Sequence, residues 1–352
     1  MALEDLPMEL LLQIMHHVGA KSLRKPGVLT VSKRWYAAAQ PVALENLHLT
    51  YKSLAKLPSR FSRQGDLLAI NLKHLEIRIP RYEDDPDRAL PFLNSKKQLF
   101  ALDLEGGRGV NRAAFDSWAI HLNSSLEIDG PSLLQPCKKL RSFTIVAEPP
   151  KNKDRPGKMH IPYIFSNSLG SILDVLAQRP LLTTLVIDVG LSPAKQDLWS
   201  HFHICPDIAK LIPRLRHLRL RLPSICSQVL EVDQACNPIP LRELIVNIGR
   251  QELWPHCGGI QKSTLCKSPG FFTPTPILPL LGVAEELATR APEVSMMRIL
   301  LRKDEDGKVL GVNCLTSMFF VLADDAAWDS DEIFADETSD RVSSDSVNVS
   351  EE

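Results

Sequence analysis

Two histidines and a cysteine alternate in the stretch HFHIC, residues 201–205, and these are side chains that bind metal ions. In an extended strand, His201, His203 and Cys205 would lie on one face, at a spacing that could seat a transition metal. No fourth ligand can be identified from the sequence. The stretch is therefore more typical of an irregular strand, and we expect neither a metal site nor a cofactor.

Other patterns that could support catalysis are incomplete. Cys257 and Cys266 accompany His256, but their spacing matches no zinc module. The stretch GGRGV, residues 106–110, lacks the Lys and Ser or Thr of a phosphate-binding loop, and neither G-x-S-x-G nor H-E-x-x-H occurs. We therefore predict a protein that is not an enzyme and has no catalytic residues. Seven cysteines scattered singly favour thiols in a reducing compartment.

The stretch PRLRHLRLRLP, residues 213–223, alternates leucine with basic residues. If its leucines point inward, His217, Arg219 and Arg221 project from the opposite face of a strand. Arginine suits bidentate recognition of carboxylate or phosphate, so these residues could bind an acidic or phosphorylated protein substrate. The alternative, which the sequence favours, is a solvated strand whose charges pair within the protein.

These residues belong to a pattern of the type L-x-x-L-x-L that recurs along the middle of the chain. Its copies are LENLHL (44–49), LKHLEI (72–77), LFALDL (99–104), LRSFTI (140–145), LTTLVI (182–187), LRHLRL (215–220), LRELIV (241–246) and VSMMRI (294–299). Each copy predicts one short strand with inward aliphatic residues, and candidate helices lie between copies at 168–180 and 277–292.

Strand, turn and helix alternating at this period predict a mixed α+β or α/β solenoid. We expect an irregular, leucine-rich-repeat-like, curved array of short parallel strands with helices outside. The array is expected to be irregular because the asparagine that follows each strand in a regular leucine-rich repeat is missing.

Charge and composition exclude several classes of partner. The formal net charge is −1, so no overall positive field attracts nucleic acid or an acidic membrane. The longest apolar runs are too short to span a bilayer, and Glu4 and Asp5 stand where a secretory signal would be basic. We expect a cytoplasmic or nuclear protein. Residues 323–352 are acidic and poor in apolar side chains, which predicts a disordered tail.

The segment LEDLPMELLLQIMHHV, residues 3–18, predicts a helix with an excess of apolar surface. Its polar residues share an arc of roughly 100°, and apolar residues fill roughly twice that arc. One side can pack on the following helices, and the remainder must contact something else. Gly19 should end this helix, and Pro26 should open a further helix that stops before Pro41.

The pairing of LPMELLLQIMHHV (6–18) with VLTVSKRWYAAA (28–39) resembles an F-box, whose pattern is Leu-Pro, a Glu-Leu-Leu helix and then Val-Ser-Lys-Arg-Trp. The resemblance implies a trihelical module that binds the Skp adaptor of the SCF (Skp–cullin–F-box) ubiquitin ligases and, through it, the cullin and RING subunits. It implies that Leu6 and Pro7 anchor this contact. The residues that extend or support it would be Leu10, Ile14, Val31 and Trp35. GAKSLRKPG (19–27) departs from the pattern, because Lys21 and Ser22 replace the usual acidic residue and Pro26 interrupts the second helix.

The whole chain resembles F-box proteins with irregular leucine-rich repeats, of a kind abundant in filamentous fungi. That resemblance implies an F-box domain at 1–45, a substrate-binding array at 46–322 and the acidic tail at 323–352. The expected function is substrate recognition for an SCF ubiquitin ligase. Two alternatives stay open: a scaffold or regulatory protein that binds the adaptor without cullin, and a general leucine-rich-repeat interaction protein with an inactive F-box.

Overall fold

The computed structural model describes residues 6–23, 25, 27–61, 65–80, 112–147, 164–189, 191–192, 203–222, 225–248, 277–303 and 309–322. Several sequence predictions lie outside these residues. They concern the LFALDL copy at 99–104, the GGRGV stretch at 106–110, His201, the group His256, Cys257 and Cys266, and the tail at 323–352.

The chain begins with a helical module. Its elements are α1 (Met8–Val18), α2 (Ala20–Leu23), a 3₁₀ turn (Val28–Thr30) and α3 (Lys33–Glu45). Gly19 ends α1 as expected: its φ is +78°, and its N–H donates to the carbonyl of Met15 at 2.9 Å. The left-handed φ explains glycine at this position.

The predicted limits of the next helix are wrong at both ends. The helix α3 begins at Lys33, because the hydroxyl of Ser32 accepts the N–H of Trp35 at 3.1 Å and caps the first turn. The helix also continues through Pro41 to Glu45. A proline costs one backbone hydrogen bond within a helix. Here the packing of Ala38, Ala39 and Val42 into the core of the module outweighs that loss.

A nine-stranded sheet follows, in the order β1-β2-β3-β5-β7-β8-β9-β10-β11. Its strands are β1 (Asn46–Thr50), β2 (His74–Ile79), β3 (Ser142–Ala147), β5 (Thr184–Asp188), β7 (His217–Arg221), β8 (Glu243–Asn247), β9 (Met296–Lys303), β10 (Val309–Asn313) and β11 (Met318–Leu322). The first seven strands pair in parallel, and β9, β10 and β11 pair antiparallel. Two short strands, β4 (Ile164–Phe165) and β6 (Leu191–Ser192), form a separate parallel pair.

The seven parallel strands coincide with seven copies of the aliphatic pattern, and corresponding positions are in register. One row across the sheet consists of Leu47, Leu75, Phe143, Leu185, Leu218, Leu244 and Met297. The next inward row consists of Leu49, Ile77, Ile145, Ile187, Leu220, Val246 and Ile299. Because side chains alternate along a strand, these two rows share one face.

Helices cover that face and complete the core. They are α4 (Tyr51–Phe61), α5 (Gly65–Asn71), α6 (Arg112–Ser124), α7 (Gly130–Leu134), α8 (Ser166–Leu176), α9 (Cys205–Ala209) and α10 (Ile277–Arg290), with a π-helical turn at Ser125–Asp129 and 3₁₀ turns at Ile212–Arg214 and Ser227–Val229. The predicted helices at 168–180 and 277–292 correspond to α8 and α10. Leu169, Ile172 and Leu287 of these helices share one buried cluster with the inward rows of the sheet.

The sheet ends in an antiparallel hairpin, so the expectation of parallel strands throughout is wrong at this edge. The strands β10 and β11 are joined by the turn 314–317, in which Ser317 has a φ of +54°. A turn this short can join only antiparallel strands, because a parallel pair needs a long crossover. Phe320 and Leu322 of β11 pack with Ile245 and Leu300 on the face of the sheet opposite the helices.

The chain is thus a mixed α/β protein built on a mostly parallel sheet. The helical module has its own buried cluster, distinct from the cluster of the sheet, and α3 ends at Glu45 where β1 begins at Asn46. An ion pair of 2.7 Å between Glu45 and Lys73 links the last turn of α3 to the start of β2. Within the described residues, no helix combines the length and the apolar character needed to cross a bilayer.

Candidate functional site

The first candidate surface is an apolar stripe along α1. Pro7, Leu10, Ile14 and Val18 recur at intervals of three or four residues, which places them on one side of the helix. Pro7 is exposed, Leu10 is 43% exposed and Val18 is 39% exposed, and Ile14 is half-buried.

The neighbouring stripe of α1 faces inward. Leu11 and Met15 are buried with Ala38, Ala39 and Val42 of α3. The wide apolar arc read from the sequence is therefore two stripes: one is used within the module, and one faces solvent.

The start of α3 adds further apolar surface to the module. Val31, just before α3, is 57% exposed, and Tyr36 in its first turn is 39% exposed. Trp35 is half-buried and packs against the core of the module together with Leu6. Among the described residues, nothing accepts a hydrogen bond from the buried indole N–H of Trp35.

The six residues singled out for adaptor binding therefore fall into two groups. Pro7, Leu10 and Val31 are exposed and available to a partner. Leu6 and Trp35 are half-buried against the module core, so they can support that surface from behind, and Ile14 is half-buried within the apolar stripe itself. Val31 precedes the Ser32 cap of α3, and Trp35 lies in the first turn of the helix. The error in the predicted start of this helix therefore does not change which of the two residues is exposed.

The second candidate surface is the sheet face opposite the helices. The residues between the inward rows lie in register there: Thr184, His217 and Glu243 in one row, Val186, Arg219 and Ile245 in the next, and Asp188, Arg221 and Asn247 in the third. The three predicted basic residues do project from this face.

Arg219 and Arg221 each have an acidic partner on an adjacent strand. Arg219 donates from Nε to Glu243 on β8. Arg221 donates from Nε to Oδ1 of Asp188 on β5 at 2.6 Å, and a second hydrogen bond joins its Nη2 to Oδ2. His217 lies beside Thr184, with Nδ1 3.5 Å from Oγ1. The two guanidinium groups and the two carboxylates balance one another, and the arginine side chains remain 24% and 21% exposed.

At the far edge of the same face, another polar cluster joins β1 to β2. His48 Nδ1 lies 2.5 Å from Oε2 of Glu76, and Arg78 donates to the other carboxylate oxygen. Burial of Glu76 opposes ionisation, but the hydrogen bonds and charges of Arg78 and His48 outweigh it and hold the pKa of this carboxyl below its ordinary value.

The possible metal ligands that the structure brings together differ from the three that the sequence suggested. His203 and Cys205 are not part of a strand, so the expected extended geometry is wrong: Cys205 is the first residue of α9. A residue that the sequence did not associate with them, Cys226, joins the pair, with its Sγ 3.1 Å from Nε2 of His203. Cys226 lies near His203 because the chain turns back after β7. The spacing of residues in the sequence could not predict this contact.

No protein-family model matches the chain, and no curated protein matches it.

Proposed function

We propose that this protein is the substrate-recognition subunit of an SCF ubiquitin ligase, with its helical module acting as an F-box that binds the Skp adaptor. One observation carries the proposal: the residues that give the segments 6–18 and 28–39 their F-box resemblance leave an exposed apolar stripe on a module that already has its own core. An apolar surface of this kind on a small module favours association with a partner protein.

The exposed residues are suited to carry the binding energy. Leu10 and Val31 are each about half covered within the module. Complete burial against an adaptor would contribute on the order of 1–2 kcal/mol per side chain. Pro7, with its fixed φ, adds surface at little cost in conformational entropy. Trp35 packs against the module core and keeps that surface rigid, and the half-buried Ile14 extends the apolar stripe along α1.

The sheet would act as the irregular leucine-rich-repeat-like array that holds the target. The in-register aliphatic rows of seven parallel strands support this proposal, because each strand with its connection repeats one structural unit. The face that carries His217, Arg219 and Arg221 offers paired charges to an acidic or phosphorylated segment of the target. A target carboxylate or phosphate would compete there with Asp188 and Glu243 for the arginines.

In this function the chain itself performs no chemistry. Its contribution is to raise the effective concentration of target lysines near the loaded conjugating enzyme of the ligase. It would need no cofactor, and its partners would be the adaptor, the cullin and RING subunits reached through it, and one or more protein targets.

The test is direct binding between the purified full-length chain and a purified Skp adaptor by calorimetry. We expect binding for the unaltered chain, and a loss of affinity of at least about tenfold for Leu10→Asp and for Val31→Asp. The matched control is Ile128→Asp, because Ile128 is 65% exposed and lies in the π-helical turn far along the chain from the module. Circular dichroism verifies that each variant is folded.

The outcomes separate the possible functions. Absence of adaptor binding by the folded, unaltered chain rules out the F-box function. Equal weakening by Ile128→Asp assigns the contact to general hydrophobicity and also contradicts the proposal. If the chain binds the adaptor but the complex fails to bind purified cullin, the protein is an adaptor-bound scaffold and not a ligase subunit.

A further inference from the structure

Three potential metal ligands converge where two connections of the sheet meet. His203 lies just before α9, and Cys205 is its first residue, in the connection from β5 to β7. Cys226 follows β7 and precedes the 3₁₀ turn Ser227–Val229, in the connection from β7 to β8. The chain therefore leaves this corner along α9, returns along β7, and brings Cys226 back to the start of α9, which contacts the Ser227–Val229 turn.

The distances fit a small tetrahedral ion. The Cys226 Sγ and His203 Nε2 atoms are 3.1 Å apart, and the ligand atoms of all three residues lie within 4.8 Å of one another. In tetrahedral zinc sites, with Zn–S near 2.3 Å and Zn–N near 2.0–2.1 Å, ligand atoms are separated by roughly 3.5–3.8 Å. Side-chain rotations that move the ligand atoms by up to about 1 Å would bring the three atoms to that spacing. Among the described residues, this is the single cluster of three or more His, Cys, Asp or Glu side chains with such geometry.

The chemistry of the ligands selects the ion. Two thiolates and one imidazole are the soft and borderline donors that zinc prefers over magnesium or calcium. Two thiolates also neutralise the double positive charge of the ion, which matters because Cys205 is buried and the other two residues are half-buried. Neither cysteine is in a disulfide, so each carries a thiol that can ionise to a thiolate ligand.

We propose that His203, Cys205 and Cys226 bind a zinc ion, which ties the β5–β7 connection to the β7–β8 connection. Three protein ligands leave a fourth tetrahedral position, and the partial exposure of His203 and Cys226 lets a water or a small exogenous donor occupy it. The ion links positions more than twenty residues apart in the chain, so it stabilises the folded state by restricting the unfolded chain and by binding only the assembled site. This inference goes beyond the ligase function and does not depend on it.

The test uses full-length protein stripped with a chelator and then titrated with Co²⁺ and Zn²⁺. We expect one equivalent of Co²⁺ with thiolate-to-metal charge transfer in the near ultraviolet and visible bands of a tetrahedral ion. Zn²⁺ should displace it and raise Tm. Cys226→Ser and His203→Gln should each weaken Zn²⁺ binding by about 100-fold or more, and Cys226→Ser should reduce the charge-transfer band.

Two controls use the other cysteines of the chain. Cys236→Ser alters a half-buried cysteine outside the cluster, and the double variant Cys257→Ser with Cys266→Ser alters the pair whose spacing matches no zinc module. Both should bind one equivalent of metal with unchanged spectra. Failure of the folded, reduced chain to bind Co²⁺ or Zn²⁺ overturns the proposal and leaves a thiol–imidazole hydrogen bond only. Loss of the metal in either control, or a Cys205–Cys226 disulfide in protein purified under reducing conditions, overturns it as well.

Discussion

Arg221, the last residue of β7, donates two hydrogen bonds to the carboxylate of Asp188, the last residue of β5. The two residues are direct cross-strand partners in the register of the sheet. Asp188 is almost fully buried and Arg221 is one-fifth exposed. The pair is therefore intermediate between an exposed ion pair and a fully buried one. In such a pair, removing one partner destabilises the protein by more than the intact pair stabilises it.

Replacement of Asp188 by Asn should destabilise the protein by about 2–4 kcal/mol, because it leaves the guanidinium of Arg221 partly buried without its charge partner. Chemical denaturation monitored by circular dichroism gives the free energy of unfolding. The control is Glu293→Gln, which removes the exposed partner of Arg242 at 2.9 Å and should cost within about 0.5 kcal/mol. Equal effects of the two changes would contradict the assigned burial of the Asp188–Arg221 pair.

The strands of this fold could be predicted from the sequence because their signal is local. Leu218 and Leu220 alternate with His217, Arg219 and Arg221, and a strand with one buried face requires this period of two. The same alternation in neighbouring copies also predicts the register, since a slip by one residue would move every leucine to the polar face. The pairing of Arg221 with Asp188 then follows from position, and the sequence favoured such internal pairing.

The features that the sequence missed depend on distant parts of the chain. The helix α3 continues through Pro41 because Val42 and Ala43 beyond it are buried in the module, a tertiary gain that local propensity does not contain. The sequence of the hairpin β10–β11 is largely apolar and shows no clear alternation. Its position against Ile245 and Leu300 depends on the assembled sheet, because these residues belong to other strands. The candidate surface on α1, by contrast, could be predicted from the sequence. Its helix carries more apolar residues than packing on one side requires, and these residues can be counted in the sequence.

Gly311 in β10 should not tolerate a side chain. A Cβ atom at this position would lie 2.4 Å from the ring of Phe320, its cross-strand partner. Phe320 cannot move away easily, because it packs with Ile245 and Leu322 and lies 5.7 Å from the guanidinium of Arg298. Gly311→Ala should therefore lower the free energy of unfolding by about 1–3 kcal/mol.

The matched control for this change is Gly282→Ala, in the exposed interior of α10. Apart from the chain neighbours of Gly282 and the backbone of α10, no heavy atom of the described residues lies within 4 Å of the added Cβ atom, so alanine should raise stability by up to about 1 kcal/mol through its helix propensity. Thermal denaturation of both variants provides the comparison. A neutral Gly311→Ala would show that the β11 strand is not held against β10 through Phe320.

Stability should depend on Glu76 at acid pH. The folded protein holds the pKa of Glu76 below its ordinary value, so the unfolded chain binds a proton more readily at this position. The stabilisation is therefore complete above the ordinary pKa of glutamate and is lost as the pH falls through the lower, folded value. Denaturation curves measured from pH 6 downward for the unaltered chain and for Glu76→Gln should converge towards acid pH. Parallel curves would show that Glu76 has no such linkage.

Two buried thiols should resist alkylation in the native state. Burial raises the pKa of the Cys137 thiol to about 11, against the opposing charge of Arg179. Burial and the negative charge of Glu285 raise the pKa of Cys314 to about 11. The thiolate is the reactive species, so at pH 8 the thiolate fraction of each is roughly 200-fold below that of a cysteine with an ordinary pKa. Both residues are also buried. Mass spectrometry after brief iodoacetamide treatment should show Cys236 labelled, and Cys137 and Cys314 unlabelled until denaturant is added.

The thiol of Cys137 donates to the carbonyl oxygen of Leu133 at 3.1 Å, which holds it in the segment between α7 and β3. Labelling of Cys137 at the rate of Cys236 would therefore mean that this segment unfolds locally and readily in the native protein.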